Sequence, residues 1–122
     1  MGLDIFFHKT TNTEISYFRK VNFLVDYFEN ILGVDEILNC QSYVVSKKDI
    51  EELISRCQLV LLNPELAEKL LPTRPGFFFG NTEYNEYYLK DVQDVLNDMI
   101  NNVLPKFDKL DSGESITFSI WY

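Results

Sequence analysis

Residues Leu71–Tyr88 read LPTRPGFFFGNTEYNEYY. Two prolines, two glycines and six aromatics stand here between two helix-like patterns. Pro72 and Pro75 lack a backbone donor and push the residue before them out of the helical region, so a helix arriving through Leu66–Leu71 must stop. Pro75-Gly76 is a turn signal. Phe77, Phe78 and Phe79 follow neither helical periodicity nor strict alternation. The run is either a short strand buried on both faces or a loop anchored by its rings. After Gly80, Asn81 or Thr82 is placed to cap a helix with Glu83 and Glu86 in its first turn. The stretch therefore divides the helical middle of the chain. It is also the first candidate site. Gly76 and Gly80 permit close backbone approach to a ligand, and Thr82, Glu83, Tyr84 and Tyr87 offer polar groups on an aromatic floor. The two glutamates disfavour a highly charged anion at the helix start. The plainer reading of the same residues is a loop pinned to the core by three phenylalanines.

Upstream, Ser46-Lys-Lys-Asp49 has the form of a capping box, with Asp in the usual place of Glu. Ile50, Leu53, Ile54, Cys57, Val60 and Leu61 then form one helical face. Asn63-Pro64 ends that helix and opens a short one to Leu70 or Leu71. Downstream, Tyr88, Val92, Val95, Leu96, Met99 and Val103 are the apolar stripe of a long helix, with Asp91, Asp94 and Asp98 opposite; Pro105 should bend or end it. Further out, Leu3, Ile5 and Phe7 alternate with Asp4, Phe6 and His8, and Ile116, Phe118 and Ile120 alternate with Thr117, Ser119 and Trp121. Both are strand patterns. The polar run Lys9–Thr13 ends the first. Thr13 is the expected N-cap of a helix from Glu14 to about Leu32, closed by Gly33. Its main apolar face is Phe18, Val21, Val25, Phe28 and Leu32, widened by Tyr17, Leu24 and Ile31. Phe23 and Tyr27 fall nearer the far side, and Arg19, Asn22, Asp26 and Glu29 form a polar stripe. Asn39–Val45 is a weak strand or extended link. Two terminal strands are not stable alone, so they should pair, antiparallel, beneath the helices. The expected fold is one α+β domain over residues 1–122, three to four helices packed on a small antiparallel sheet that includes both terminal strands.

The 122 residues are 46% hydrophobic and 15% aromatic, enough for a well-filled core. The formal charge is −8, which disfavours DNA, RNA or an anionic membrane as a direct partner and permits an acidic protein-binding face. Cys40 and Cys57 lie in no metal or redox motif and read as free thiols in a reducing cytoplasm. No signal-peptide pattern or apolar run of membrane length is present, so a soluble, cytoplasmic protein is expected.

Met1-Gly2-Leu3-Asp4, Tyr17-Phe18-Arg19-Lys20-Val21-Asn22, Cys40–Ser46 and Leu70-Leu71-Pro72-Thr73 with Gly76–Tyr88 resemble a group of small proteins encoded by phages, prophages and gut bacteria. The resemblance spans most of the chain, and GFFFGNTEYNEYY is its most specific block. The family pattern opens its first helix with aromatic–Trp–Arg–Lys; here Phe18 stands in place of the Trp. The family supplies no established activity. The resemblance implies a mobile-element or accessory role and directs attention to Arg19, Lys20, Asn22, Glu83 and Tyr84.

The chemistry of single groups is weakly specified. Asp91, Asp94 and Asp98 have the charge for a hard cation, but such a stripe is ordinarily a solvated helix face. His8 is the only histidine and no nucleophile motif accompanies it. Glu83 with Glu86 suits acid–base work, yet helix-start acids explain the pair equally well. Arg19 and Asn22, on a largely apolar helix, point to pairing with a carboxylate such as Asp4 or Glu83; the alternative is a ligand clamp in which Arg19 and Lys20 meet an anion. No catalytic, metal or cofactor assignment follows. The first functional class is a non-catalytic module for a small anionic or nucleotide-like ligand, with Arg19, Lys20, Asn22, Thr82, Glu83, Tyr84 and Tyr87 as its site and Arg19 near residues 76–87. The second is an acidic interaction protein that inhibits a host enzyme, with imitation of nucleic acid as one means.

Overall fold

The computed structural model describes residues 2–10, 13–76 and 79–122. Four strands, β1 (Asp4–Lys9), β2 (Glu14–Arg19), β3 (Ser42–Val45) and β4 (Ile116–Trp121), form one antiparallel sheet in the order β2-β1-β4-β3. The terminal strands are its central pair, as their alternation predicts, with Ile5 opposite Ile120 and Phe7 opposite Phe118. Ile5, Phe7, Ile116, Phe118 and Ile120 are buried beneath the helices. Asp4, Phe6, His8, Ser119 and Trp121, at the intervening positions, belong to the other face.

The segment Glu14–Arg19 corrects the expected helix. It is a strand, and helix α1 runs only over Phe23–Leu32. Thr13 therefore precedes a strand and caps nothing helical. Phe18, placed by periodicity on the helix core face, is a half-buried strand residue edge-on to Phe7. Pairing with β1 rewards the extended form along the whole segment. Buried Ser16 is satisfied from outside the sheet by Asp98 and Asn102. Lys20, at φ 59°, turns the chain out of β2.

In α1, Phe23, Leu24, Val25, Tyr27, Phe28 and even Glu29 are buried, and Gly33 at φ 68° closes the helix. Phe23 meets Tyr88 edge-on, and the Tyr27 hydroxyl donates to the Asp49 carbonyl. The side expected to be outer is thus covered too. Helix α2 (Lys47–Leu62) carries the predicted capping box: Ser46 N–H donates to Asp49 Oδ2 at 2.8 Å and Asp49 N–H to Ser46 Oγ at 3.1 Å. Ile50, Leu53, Cys57 and Val60 face the core, while Ile54 and Leu61 lie at its margin. A 3₁₀ turn at Pro64–Leu66 leads into the short α3 (Ala67–Leu70).

Helix α4 (Glu86–Asp98) is capped by Asn85, whose side chain accepts from the N–H groups of Tyr87 and Tyr88. Asn81 and Thr82 do not cap it. The Asn81 side chain closes a local turn on Glu83 N–H, and the Thr82 carbonyl receives the Thr73 hydroxyl. Glu83 consequently precedes the helix. The predicted stripe Tyr88, Val92, Val95, Leu96, Met99 and Val103 is buried. Before Pro105 the helix widens into a π turn, Met99–Val103, and then continues through Leu104–Lys106. Proline has no N–H for the regular ladder, and the wider turn accommodates the missing bond without ending the helix. Among the described residues no helix is long and apolar enough to cross a membrane.

Phe28 is fully buried, stacked on Phe118 with ring centroids 4.2 Å apart. Phe28→Ala should lower unfolding free energy by about 3–5 kcal/mol in urea titration. A loss below about 1 kcal/mol would show that α1 is not the core helix.

Candidate functional site

Asn22 stands at the N-cap position of α1, where an asparagine ordinarily accepts from the helix's own N–H groups. It makes no such bond. Its amide instead donates to the carbonyls of Phe79 (3.0 Å) and Asn81 (2.9 Å), and its oxygen accepts from Arg74 N–H (3.0 Å). The side chain is buried, so these bonds satisfy polar atoms that have left solvent. Arg74 is tied a second time, through an ion pair with Glu29 of α1. Glu29 also accepts from Ile37 N–H at 3.0 Å, and is buried. The loop after α3 is thereby fixed against the start and middle of α1.

Its other contacts are local. Tyr88 donates its hydroxyl to the Leu71 carbonyl at 2.7 Å. The Tyr84 hydroxyl accepts from Thr73 N–H, and the Tyr84 ring stands edge-on to Tyr88. Phe79 is the buried anchor, its ring 5.1 Å from that of Tyr122. A Cβ on Gly76 would lie 2.6 Å from the Phe79 ring, so only glycine admits this packing. Phe77 and Phe78, the rest of the predicted strand-or-loop run, lie outside the described residues.

Between the β2–α1 turn and this loop lies a cleft of about 200 Å³. Arg19 and Lys20 form one wall; Asn81, Glu83, Asn85, Tyr87 and Asp91 form the other. Asn22 and Thr73 are also among its lining residues. Lys20 is held in the left-handed region against the backbone of Gly80, where a Cβ would come within 3.1 Å of Lys20 Cβ. Gly80 itself takes φ 92°. Asp91 is pushed above the usual aspartate value, chiefly by burial and then by neighbouring Asp94.

Five of the seven expected site residues thus line one cleft: Arg19, Lys20, Asn22, Glu83 and Tyr87. Tyr84 and Thr82 lie outside it and brace the loop through Thr73. Arg19 reaches Asp4 at 3.6 Å, the first of the two carboxylates its sequence context suggested. No direct bond joins it to Glu83 or Tyr84. Its side chain is 54% exposed, so this pair adds little stability and leaves the guanidinium accessible. The acidic stripe of α4 does not converge: Asp94 pairs with Lys90, Asp98 bonds Ser16 and Asn102, and Asp91 faces the cleft.

Sequence reasoning missed a second concavity. A groove of about 480 Å³ runs over the sheet face away from the helices, with Phe6, His8, Ser119 and Trp121 among its lining. Its signal was present in the strands. The outward positions of an exposed sheet face are ordinarily polar, and here several are aromatic. Cys40, at φ 66° and exposed, lies at its rim. Cys57 is buried in α2, which pushes its thiol up to about 12. Alkylation of folded protein near neutral pH should therefore modify Cys40 alone, with Cys57 reacting only on unfolding; mass spectrometry reads both.

Asn22→Ala should leave one buried carbonyl, of Phe79, and the part-buried Asn81 carbonyl and Arg74 N–H without these partners. The expected loss is about 2–3 kcal/mol, with amide exchange accelerating over residues 73–82 more than in α2. Unchanged exchange in that loop would remove Asn22 as its tether. Compared with protein families, with curated proteins and with solved structures, the chain matches none.

Proposed function

We propose that this chain is a non-catalytic binding protein that holds a small ligand with an anionic, nucleotide-like end in the cleft between the β2–α1 turn and the 73–91 segment. The carrying observation is Lys20. A non-glycine residue in the left-handed region costs free energy, and such strain gathers at ligand sites. Lys20 and Arg19 supply charge-assisted donors for the anion. Asn81, Asn85 and Glu83 offer hydrogen bonds opposite, and Tyr87, 71% exposed, offers a ring face. The cleft is smaller than the pockets that enclose whole drug-sized ligands, so it suits one end of such a molecule. A free, exposed Cys40 supports a cytoplasmic setting. The resemblance to phage, prophage and gut-bacterial proteins supports an accessory role.

A second reading rests on charge. The chain carries −8, and Glu51, Glu52, Glu65, Glu68, Glu86 and Asp94 are all exposed on or beside α2–α4. Leu62, 77% exposed, lies at the end of α2. This combination suits an inhibitor that docks on a basic host enzyme or nucleic-acid-binding protein.

Native mass spectrometry of purified protein, with its 260/280 nm absorbance ratio, separates the two. Under the first reading a small ligand copurifies and Lys20→Asn loses it. Asparagine tolerates the left-handed region, so the melting temperature should move by less than about 4 °C. Acidification through the raised Asp91 value should protonate that carboxyl and weaken its hold on any donor of the ligand. A ligand-free mass with stable capture of a basic partner would reject the cleft and favour the second reading.

A further inference from the structure

We infer that the cleft takes a compact zwitterion, a molecule of amino-acid size whose anion meets Arg19 and Lys20 and whose ammonium meets Glu83 and Asp91. The inference rests on the cleft reading above and narrows its ligand. Its ground is a separation of charge. Among the described residues, the charged groups of the lining are two cations on one wall and two carboxylates on the other. Opposite charges within reach of each other attract strongly and ordinarily pair. Here they do not. Among the described residues, Lys20, Glu83 and Asp91 form no ion pair, and the partner of Arg19 is Asp4, which is not part of the lining.

Glycines hold the cations back. A Cβ on Gly2 would lie 2.9 Å from Lys20 Cε and 3.1 Å from Arg19 Nη2, and one on Gly80 would lie 3.1 Å from Lys20 Cβ and 3.4 Å from its Cδ. The Lys20 stem therefore runs past two bare stretches of backbone, and its start is fixed by the left-handed turn at φ 59°. Packing along the stem restrains a side chain that is otherwise free to swing toward a carboxylate. On the other wall, Asp91 follows Tyr87 by one helical turn, so carboxylate and ring share a face of α4. An ammonium placed there gains the carboxylate and the exposed Tyr87 ring together. Asp91 is half-buried, and burial pushes its carboxyl up; a ligand cation beside it favours the charged form. Val21, Phe23 and Tyr88, all buried, also line the cleft and suit a short apolar stem on the ligand. Two carboxylates oppose a phosphate-rich molecule, and a cleft of about 200 Å³ falls below the usual range of ligand pockets. One anion and one ammonium on a short stem meet both limits. An α-amino acid and an aminoalkyl phosphate share this chemistry.

Isothermal titration calorimetry of the full chain with leucine and with phosphoethanolamine tests this. Isocaproate and isoamylamine are the two halves of leucine; inorganic phosphate and ethanolamine are those of phosphoethanolamine. Saturable binding of at least one zwitterion below about 1 mM is expected, roughly ten-fold or more tighter than either of its halves. The tighter zwitterion identifies the anion as carboxylate or phosphate. Glu83→Gln and Asp91→Asn should each weaken the zwitterion roughly ten-fold and leave its amine-free half no weaker. Lys20→Asn should weaken the zwitterion and the amine-free half alike. Melting curves of the variants verify that each is folded. The inference is overturned if an amine-free half binds as tightly as its zwitterion, or if zwitterion binding is indifferent to both carboxylate variants. In either case, binding that Lys20→Asn removes keeps the cleft as a site for a plain anion. Failure of both zwitterions to bind below about 1 mM also overturns it; a copurified ligand lost on Lys20→Asn would then still support the cleft.

Discussion

The contact on which the architecture depends is the packing of Phe28 onto the central strand pair. Its ring stacks on Phe118 of β4 and meets Phe7 of β1 at 5.8 Å, and Phe7 and Phe118 are themselves 5.6 Å apart. All three are fully buried. Each contributes roughly 1.5–3 kcal/mol of burial, together with the smaller gain from ring geometry. The terminal strands come from opposite ends of the chain, so closing them costs a long loop. A helix that packs on both strands at once offsets that cost. It also fixes which face of the sheet is covered. With α1 seated on one side, α2 packed against α4, and the π turn after α4 packed on β2, no described element remains to cover the other.

A second layer of constraint is polar. The loop after α3 contributes Phe79 to the core, but Asn22 and the Arg74–Glu29 pair set its position. Among the described residues, no buried side-chain polar atom lacks a partner. Such a network is conditional. A buried ion pair yields little net stability when intact, and losing one member costs far more than the pair contributes. Asn22 behaves similarly, since one amide satisfies three backbone groups. The described parts of the loop are therefore held together as one network. That is a suitable foundation for a cleft whose two walls come from residues 19–23 and 73–91.

Much of this was legible in the sequence because the relevant signals were local. Alternation around Ile5 and Phe118 marked the terminal strands, Ser46 and Asp49 marked a helix start, and the proline-rich break marked the loop. Glu14–Arg19 was not legible in the same way. A helical face can be drawn through Phe18, Val21, Val25 and Phe28, and no glycine or proline interrupts it. What decides for a strand is distant: the edge of β1, and Asp98 and Asn102, which bond Ser16 from 82 and 86 residues away. The cleft shows the same division. Arg19, Lys20, Asn22, Glu83 and Tyr87 were identifiable by type and context. The role of Asn22 as a tether was not, because it requires a backbone loop that only the fold brings near. Arg74 gave no signal, since an arginine between two prolines reads as exposed.

The open sheet face follows from the same principle. An antiparallel sheet covered on one side should alternate apolar inward and polar outward. β1 obeys this rule inward and breaks it outward, with Phe6 between Ile5 and Phe7. β4 places Trp121 after Ile120, and β2 adds Tyr17. Exposed rings on paired strands gain something from each other, but less than they would gain buried. Carboxylates stand only at the edge of this row: Asp4 receives the Tyr17 hydroxyl and Glu14 is opposite His8, while many of the other exposed carboxylates are on the helices. A surface optimised only for stability and solubility would carry threonine or lysine at these positions. Local departures from a sequence rule that the rest of the chain obeys are where binding is expected to be found.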